Sequence, residues 1–383
     1  MSNPTAEVQN PPVKQRESNL ELFRIITMLL IVAHHFVVNS GLMDADGVIA
    51  SDPLSANSVF LLLFGAWGKT GINCFVLITG YFMCKSDISA KKFAKLFLEV
   101  LFYRFVFYAV FLITGYENIS MMRIVRLLIP VSQIEHNFTG CFLVFFLFIP
   151  FLNLLVHHMT ERMHFCLLLL LSVTYILLGT VKSGSFGVLM NYTSWFMVLY
   201  FIASYIRLYP KNWFSNNRLC GVMLLLFLML SVLSVLGCLW LGRKTNQFMP
   251  YYFVTDSNTF LAVMTGLFAF LFFKNLRIPY SRLINAVAAS TFGVFLIHTN
   301  SEAMRQWLWK DTLDNVGHFT DPYLPLYAIG CVLAVFAVCA LIDCIRIHLF
   351  EKPFFKWWDK HWERFSHCFK AKEDAFFRKF HIE

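Results

Sequence analysis

ESNLELFRIITMLLIVAHHF, from Glu17 to Phe36, is the stretch whose reading decides the fold. Its apolar run is long enough to cross a bilayer, yet it holds Glu21 and Arg24 near its start and His34 and His35 deep inside. Ionisable side chains at the centre of a spanning helix cost about 3 kcal/mol each on insertion scales, so they are kept for a cavity or a partner. Helix geometry sharpens the reading. From Arg24 to His35 the chain turns three times plus roughly 20°, which puts both on one face, roughly 16 Å apart along the axis. His34 points roughly 80° away from that face. One helix thus presents a fixed cation at one end of a face and an imidazole at the other.

Working outward, the rest of the chain is of the same kind. It has 383 residues, 58% hydrophobic and only 14% charged, with a mean hydropathy of +0.61. A soluble protein of this size would expose far more charge, so the expected fold is all-α, a polytopic bundle of transmembrane helices. A membrane β-barrel is excluded because it needs short alternating strands, whereas these apolar runs are long and continuous. The ten cysteines form no CxxC pair, and most of them, Cys74, Cys166, Cys220, Cys331 and Cys339 included, read as small packing residues.

Ten spans are expected, roughly at 20–42, 57–83, 93–115, 139–156, 164–181, 194–209, 217–241, 258–274, 284–304 and 324–350. The second is too long for one straight crossing and contains Gly65, Gly68 and Gly71, so a broken or re-entrant start is expected. The sixth is the shortest. Lysine and arginine alternate with this drawing. Twenty-two of them, Lys85, Lys91, Lys92, Lys95, Arg207, Lys211 and the basic carboxyl end included, fall on one side, against seven, Arg123, Arg126, Lys182, Arg243, Lys244, Arg305 and Lys310, on the other, a roughly threefold excess. Both termini are therefore expected in the cytoplasm. The formal charge of +9 is accounted for by a membrane surface rather than by nucleic acid.

Residues 1–17 read as a disordered cytoplasmic amino terminus with no signal peptide, and 18–351 as the membrane domain. In 352–383, Trp358, Trp362, Phe365, Phe369, Phe376 and Phe380 recur on one helix face while lysines and arginines fill the other. That pattern predicts an amphipathic tail against lipid at the inner leaflet. No internal repeat is visible, and the short outer loops leave no room for an extracellular catalytic domain. Three Asn-x-Thr/Ser triplets, at Asn118, Asn137 and Asn191, read as chance.

The candidates for chemistry are few. His35 shares a face with Arg24 and has the side chain best suited to act as a base near neutral pH. Glu21, three residues before Arg24, can pair with it near the cytoplasmic interface. His298, in STFGVFLIHTN, lies at the same depth as His35 when each is counted from the inner edge of its span, roughly 21–23 Å. Two imidazoles at one level can line one cavity in the outer half of the bilayer. Lys69 sits between Gly68 and Gly71, where it either meets an anionic group or snorkels to the outer interface, with snorkelling preferred. Arg104 has no evident partner. Phosphate-binding loops, serine-hydrolase elbows and zinc-protease motifs are absent, and no metal is expected.

These same stretches resemble the acyltransferase 3 family of bacterial membrane O-acyltransferases. The family's arginine, ten residues, histidine pattern is similar to Arg24–His35, and its helix-two element resembles CFVLITGYF, Cys74 to Phe82. Further similarities are PFLN at Pro150–Asn153, SWF with YIRLYP between Ser194 and Pro210, and a serine separated by six residues from an aliphatic–His pair at Ser290–His298. The likeness runs from about residue 18 to 355, with Cys74 and Thr79 standing where the family has phenylalanine and serine. It implies transfer of an acyl group, usually acetyl from acetyl-CoA, to a hydroxyl of a cell-surface glycan or its lipid-linked precursor, by an enzyme of the bacterial cytoplasmic membrane. On that implication His35 and His298 are the expected catalytic pair and Arg24 with Glu21 the donor-binding pair. Lys69, Asn73, Tyr81 and Trp195 are the expected cavity or acceptor contacts. Two other classes compete: a transporter or flippase for a lipid-linked sugar, and a membrane scaffold working through its tail.

Overall fold

The computed structural model describes residues 17–131, 137–181, 190–245 and 247–362. Among them every regular element is a helix. The principal ones are α1 (Ser18–Val38), α2 (Ala56–Met83), α3 (Ala90–Ile113), α4 (Phe138–His158), α5 (Glu161–Val181), α6 (Tyr192–Leu208), α7 (Asn217–Thr245), α8 (Phe260–Asn275), α9 (Arg282–His298) and α10 (Leu324–Trp362). Each expected span lies on one of these. By length and composition α1 to α5, α7 and α10 can cross a membrane, and α9 with the following Glu302–Thr312 makes an eighth span if that pair is counted as one, bent by 96°. α8, at 16 residues, is the shortest of these, where the expected one is α6, at 17.

Helix starts follow local chemistry. Ser55, Ser89, Asn137, Thr160, Asn191 and Ser281 each accept a backbone N–H of the first turn, a contact worth about 1 kcal/mol. Two of the Asn-x-Thr triplets are such caps: Asn137 accepts from Thr139 N at 3.1 Å and Asn191 from Thr193 N at 2.8 Å.

α2 is the axis of the bundle. In its most apolar stretch 78% of residues are buried by protein, against 17% for α5 and 22% for α7, most of whose leucines face outward. Its inner half, Gly68–Met83, packs against α1, α6 and α8. As expected of its glycines, α2 is interrupted: the first helical segment ends at Gly65 and the second starts at Gly68. α1 touches α2, α8, α9 and α10, so its ionisable side chains are enclosed by protein rather than lipid. α10 runs without a break past Lys352 to Trp362, where Trp358 and Trp362 stack at 4.9 Å. Residues 1–16 and Phe365, Phe369, Phe376 and Phe380 lie outside the described residues.

Candidate active site

His35 and His298 come from helices far apart in sequence and meet ring to ring. His35 Nδ1 lies 2.9 Å from His298 Nε2, and His298 Nδ1 lies 2.6 Å from the Val294 carbonyl. A carbonyl only accepts, so His298 Nδ1 carries the proton. In the neutral ring Nε2 then accepts, which makes His35 Nδ1 the donor. The consequence is a defined tautomer: His35 Nε2 keeps its lone pair and has no hydrogen-bond partner among the described residues. His298 is fully buried, whereas His35 is half-buried and faces a cavity of about 380 Å³.

The interruption of α2 shapes one wall of that cavity. His34 Nδ1 donates to the carbonyl of Gly65, left free at the end of the first segment, at 2.6 Å. A Cβ on Gly68 would lie 2.2 Å from His34 Cγ, so only glycine lets the imidazole sit against this turn. The next residue, Lys69, does not snorkel: its Nζ donates to Tyr192 Oη at 2.8 Å across the cavity. The outward rim is polar, with Asn137 and Thr139 at the start of α4, Tyr192 at the start of α6, and Thr299 to Arg305 beyond His298. Arg104 lines it too and donates to the Arg126 carbonyl at 2.9 Å, which supplies the partner its sequence context left open.

Three turns inward along α1, Arg24 pairs with Glu21 at 3.2 Å and lies 6.0 Å from the centre of the Phe82 ring. Tyr81, next to Phe82, sits in the same region. It accepts a hydrogen bond from Arg207 Nη1 at 2.6 Å, with that guanidinium 4.4 Å from its ring centre. Arg207 belongs to the YIRLYP stretch, and its Nε is buried without a hydrogen-bond partner among the described residues. The end of the bundle at which α1 starts therefore offers two arginines, each resting on one of two consecutive aromatic rings.

Three expected contacts are absent from the cavity. Asn73 and Trp195 are fully buried and hold each other, Trp195 Nε1 donating to Asn73 Oδ1 at 2.9 Å while Asn73 Nδ2 donates to the Ser257 carbonyl at 2.7 Å. They tie α2 to α6 and to the segment before α8; a short polar side chain and an indole on facing helices satisfy one another more readily than they reach a substrate. Tyr81 is held at the inner end by Arg207. Of the expected residues the structure brings His35, His298 and Lys69 together, and leaves Arg24 about 16 Å and Glu21 about 21 Å away along α1, as the helix rise requires.

Sequence reasoning missed a buried ion cluster against the cavity's other wall. Arg346 in α10 reaches Asp343 at 2.8 Å, Glu351 at 2.9 Å and Glu99 of α3 at 3.0 Å. Lys95 closes on Glu351 at 2.7 Å. Tyr103, whose ring lines the cavity, donates to Asp343 at 2.7 Å. Gly293 of α9 makes room for this carboxylate, since a Cβ there would lie 2.2 Å from Asp343 Cγ. Buried charges stay buried only when paired, and here the pairing ties α3 to α10 beside the cavity. Among the described residues no group of three or more His, Cys, Asp or Glu side chains is placed to hold a metal ion.

The arrangement can take a proton at His35 Nε2 in a confined polar cavity, with cations at two levels. A family model described as an acyltransferase domain matches residues 17–343. No curated protein and no solved structure matches the chain.

Proposed function

The chain belongs to this acyltransferase family, and from that premise we propose that it moves an acyl group, acetyl in the simplest case, from cytoplasmic acyl-CoA to a hydroxyl of a cell-surface glycan or its lipid-linked precursor in the bacterial cytoplasmic membrane. The observation that carries the reading is the free lone pair on His35 Nε2, fixed by the His298–Val294 chain and directed to a cavity. A base needs that polarity and that access.

The chemistry balances without another reactant. The acceptor oxygen attacks the thioester carbonyl carbon as its proton passes to His35 Nε2. The tetrahedral adduct collapses, the carbon–sulfur bond breaks, and the same proton goes to the leaving sulfur, giving ester and free CoA thiol. His298 does not touch the reacting atoms. It takes the His35 Nδ1 proton in a hydrogen bond and so holds the tautomer. Arg24 and Arg207 supply forked donors suited to CoA phosphates at the cytoplasmic end, and the pantetheine arm extends along α1 to the cavity. Glu21 holds Arg24 in place.

The test uses purified protein in nanodiscs, acetyl-CoA and crude envelope glycan. Thiol release that depends on glycan and is lost in His35→Ala supports the reading. Arg24→Lys also fails, with a raised KM for acetyl-CoA, because the fork is gone. Folded protein that neither binds acetyl-CoA nor releases thiol would overturn it in favour of a lipid-linked-sugar transporter.

A further inference from the structure

The outer half of the cavity is cationic beyond anything acyl transfer itself requires. Among the described residues Lys69, Arg104 and Arg305 line it, against one carboxylate, Glu302. Glu302 pairs with Arg305 at 2.7 Å, yet Arg305 Nε is buried with no hydrogen-bond partner among the described residues. Lys69 is held only by the Tyr192 hydroxyl and Arg104 by a backbone carbonyl, so neither is neutralised by a carboxylate among the described residues. The backbone adds to this field. The amino-terminal turns of α4 and α6 both border the cavity, through Asn137 to Thr139 and through Tyr192. Helix starts carry partial positive charge and spare N–H donors.

Three side-chain cations and two helix starts around about 380 Å³ would be costly to enclose together unless something negative enters. The donor's phosphates do not meet this need, since their proposed partners lie three turns inward. We propose that the acceptor is anionic: the sugar that presents its hydroxyl to His35 carries a carboxylate or a phosphate within reach of Lys69, Arg104 and Arg305. The inference rests on the transferase reading above and names its substrate class.

The experiment follows thiol release from acetyl-CoA by the purified protein, with envelope glycan separated by anion exchange into neutral and acidic fractions. The acidic fraction is also tested after reduction of its carboxylates to alcohols and, separately, after removal of its phosphates. Both treatments keep the other hydroxyls, and the one that abolishes acceptance identifies the group. The expected result is acceptance confined to the acidic fraction, at least about tenfold above the neutral one, the effect of roughly one charge-assisted hydrogen bond. In Arg305→Gln and Arg104→Gln the acceptor KM rises and that for acetyl-CoA stays; Arg305→Lys and Arg104→Lys keep most of the preference. Equal acceptance of neutral and acidic fractions overturns the inference while leaving the transferase reading intact, as does a rise in the acetyl-CoA KM in the arginine variants. A marked preference for succinyl-CoA over acetyl-CoA, lost in the same variants, also overturns it by assigning the cations to the acyl chain. No thiol release from any fraction overturns the transferase reading, and this inference with it.

Discussion

A single proton assignment does most of the work in this site. Because the Val294 carbonyl can only accept, the direction of the His298–His35 contact is fixed, and with it the nitrogen that faces the cavity. Removing His35 should lower turnover by at least about 10²-fold, the lower end of what a general base contributes, with acetyl-CoA binding retained. His298→Ala should cost less and act on kcat with both KM values little changed. His298→Gln, whose amide oxygen can accept the same Nδ1 proton, should recover part of the loss, which a purely packing role would not produce. Gly68→Ala forces a methyl group into the His34 ring; overpacking of this kind costs about 1–3 kcal/mol. A lowered midpoint of thermal unfolding in detergent should therefore be restored when His34→Ala is added. His35 and Arg24 were legible because eleven residues of one helix fix their own geometry. The interlock of Gly68 with His34 was not, because it depends on how closely α1 and α2 approach.

Between elements, the ion cluster ties α3 to α10. Arg346→Met leaves Glu99, Asp343 and Glu351 around a site with no guanidinium, and stranding buried charge in this way costs about 3–5 kcal/mol. Far less folded protein should be recovered from membranes, and adding Glu99→Gln and Asp343→Asn should return part of it. In the sequence Arg346 reads as one more basic residue near the inner end of the last span, and Glu99 as an isolated carboxylate within the third. Nothing local links them; the partnership is written in the packing of α3 on α9 and α10. A π-helical turn at Ile347–Glu351 follows directly, and an extra residue in a turn re-aims the side chains beyond it, here Glu351 toward Arg346. The break in α2 was readable from Gly65, Gly68 and Gly71, because glycine clusters weaken a helix wherever they occur. The pairing of Asn73 with Trp195 across α2 and α6 was not readable, for the same reason as the ion cluster.

At the scale of the whole molecule, composition alone specified a helical membrane protein, and every expected span lies on a helix. The alternation of lysine and arginine makes a separate prediction about orientation. Single cysteines placed at Asp46 and at Lys356 in a cysteine-free background should differ in intact cells, with the first labelled by a membrane-impermeant maleimide and the second only after permeabilisation. Labelling of both from outside would end the assignment of a cytoplasmic carboxyl end. The ion cluster also bears on how the protein is made. Glu99 enters the bilayer when α3 is synthesised, but Arg346 emerges only with α10, after every other principal helix. Until then α3 holds a carboxylate whose guanidinium does not yet exist, so the half-made chain is an incomplete assembly that membrane quality-control proteases can recognise. The last helix acts as a completeness check on biogenesis, and a chain stopped before Leu324 should be degraded rather than accumulate as a smaller bundle.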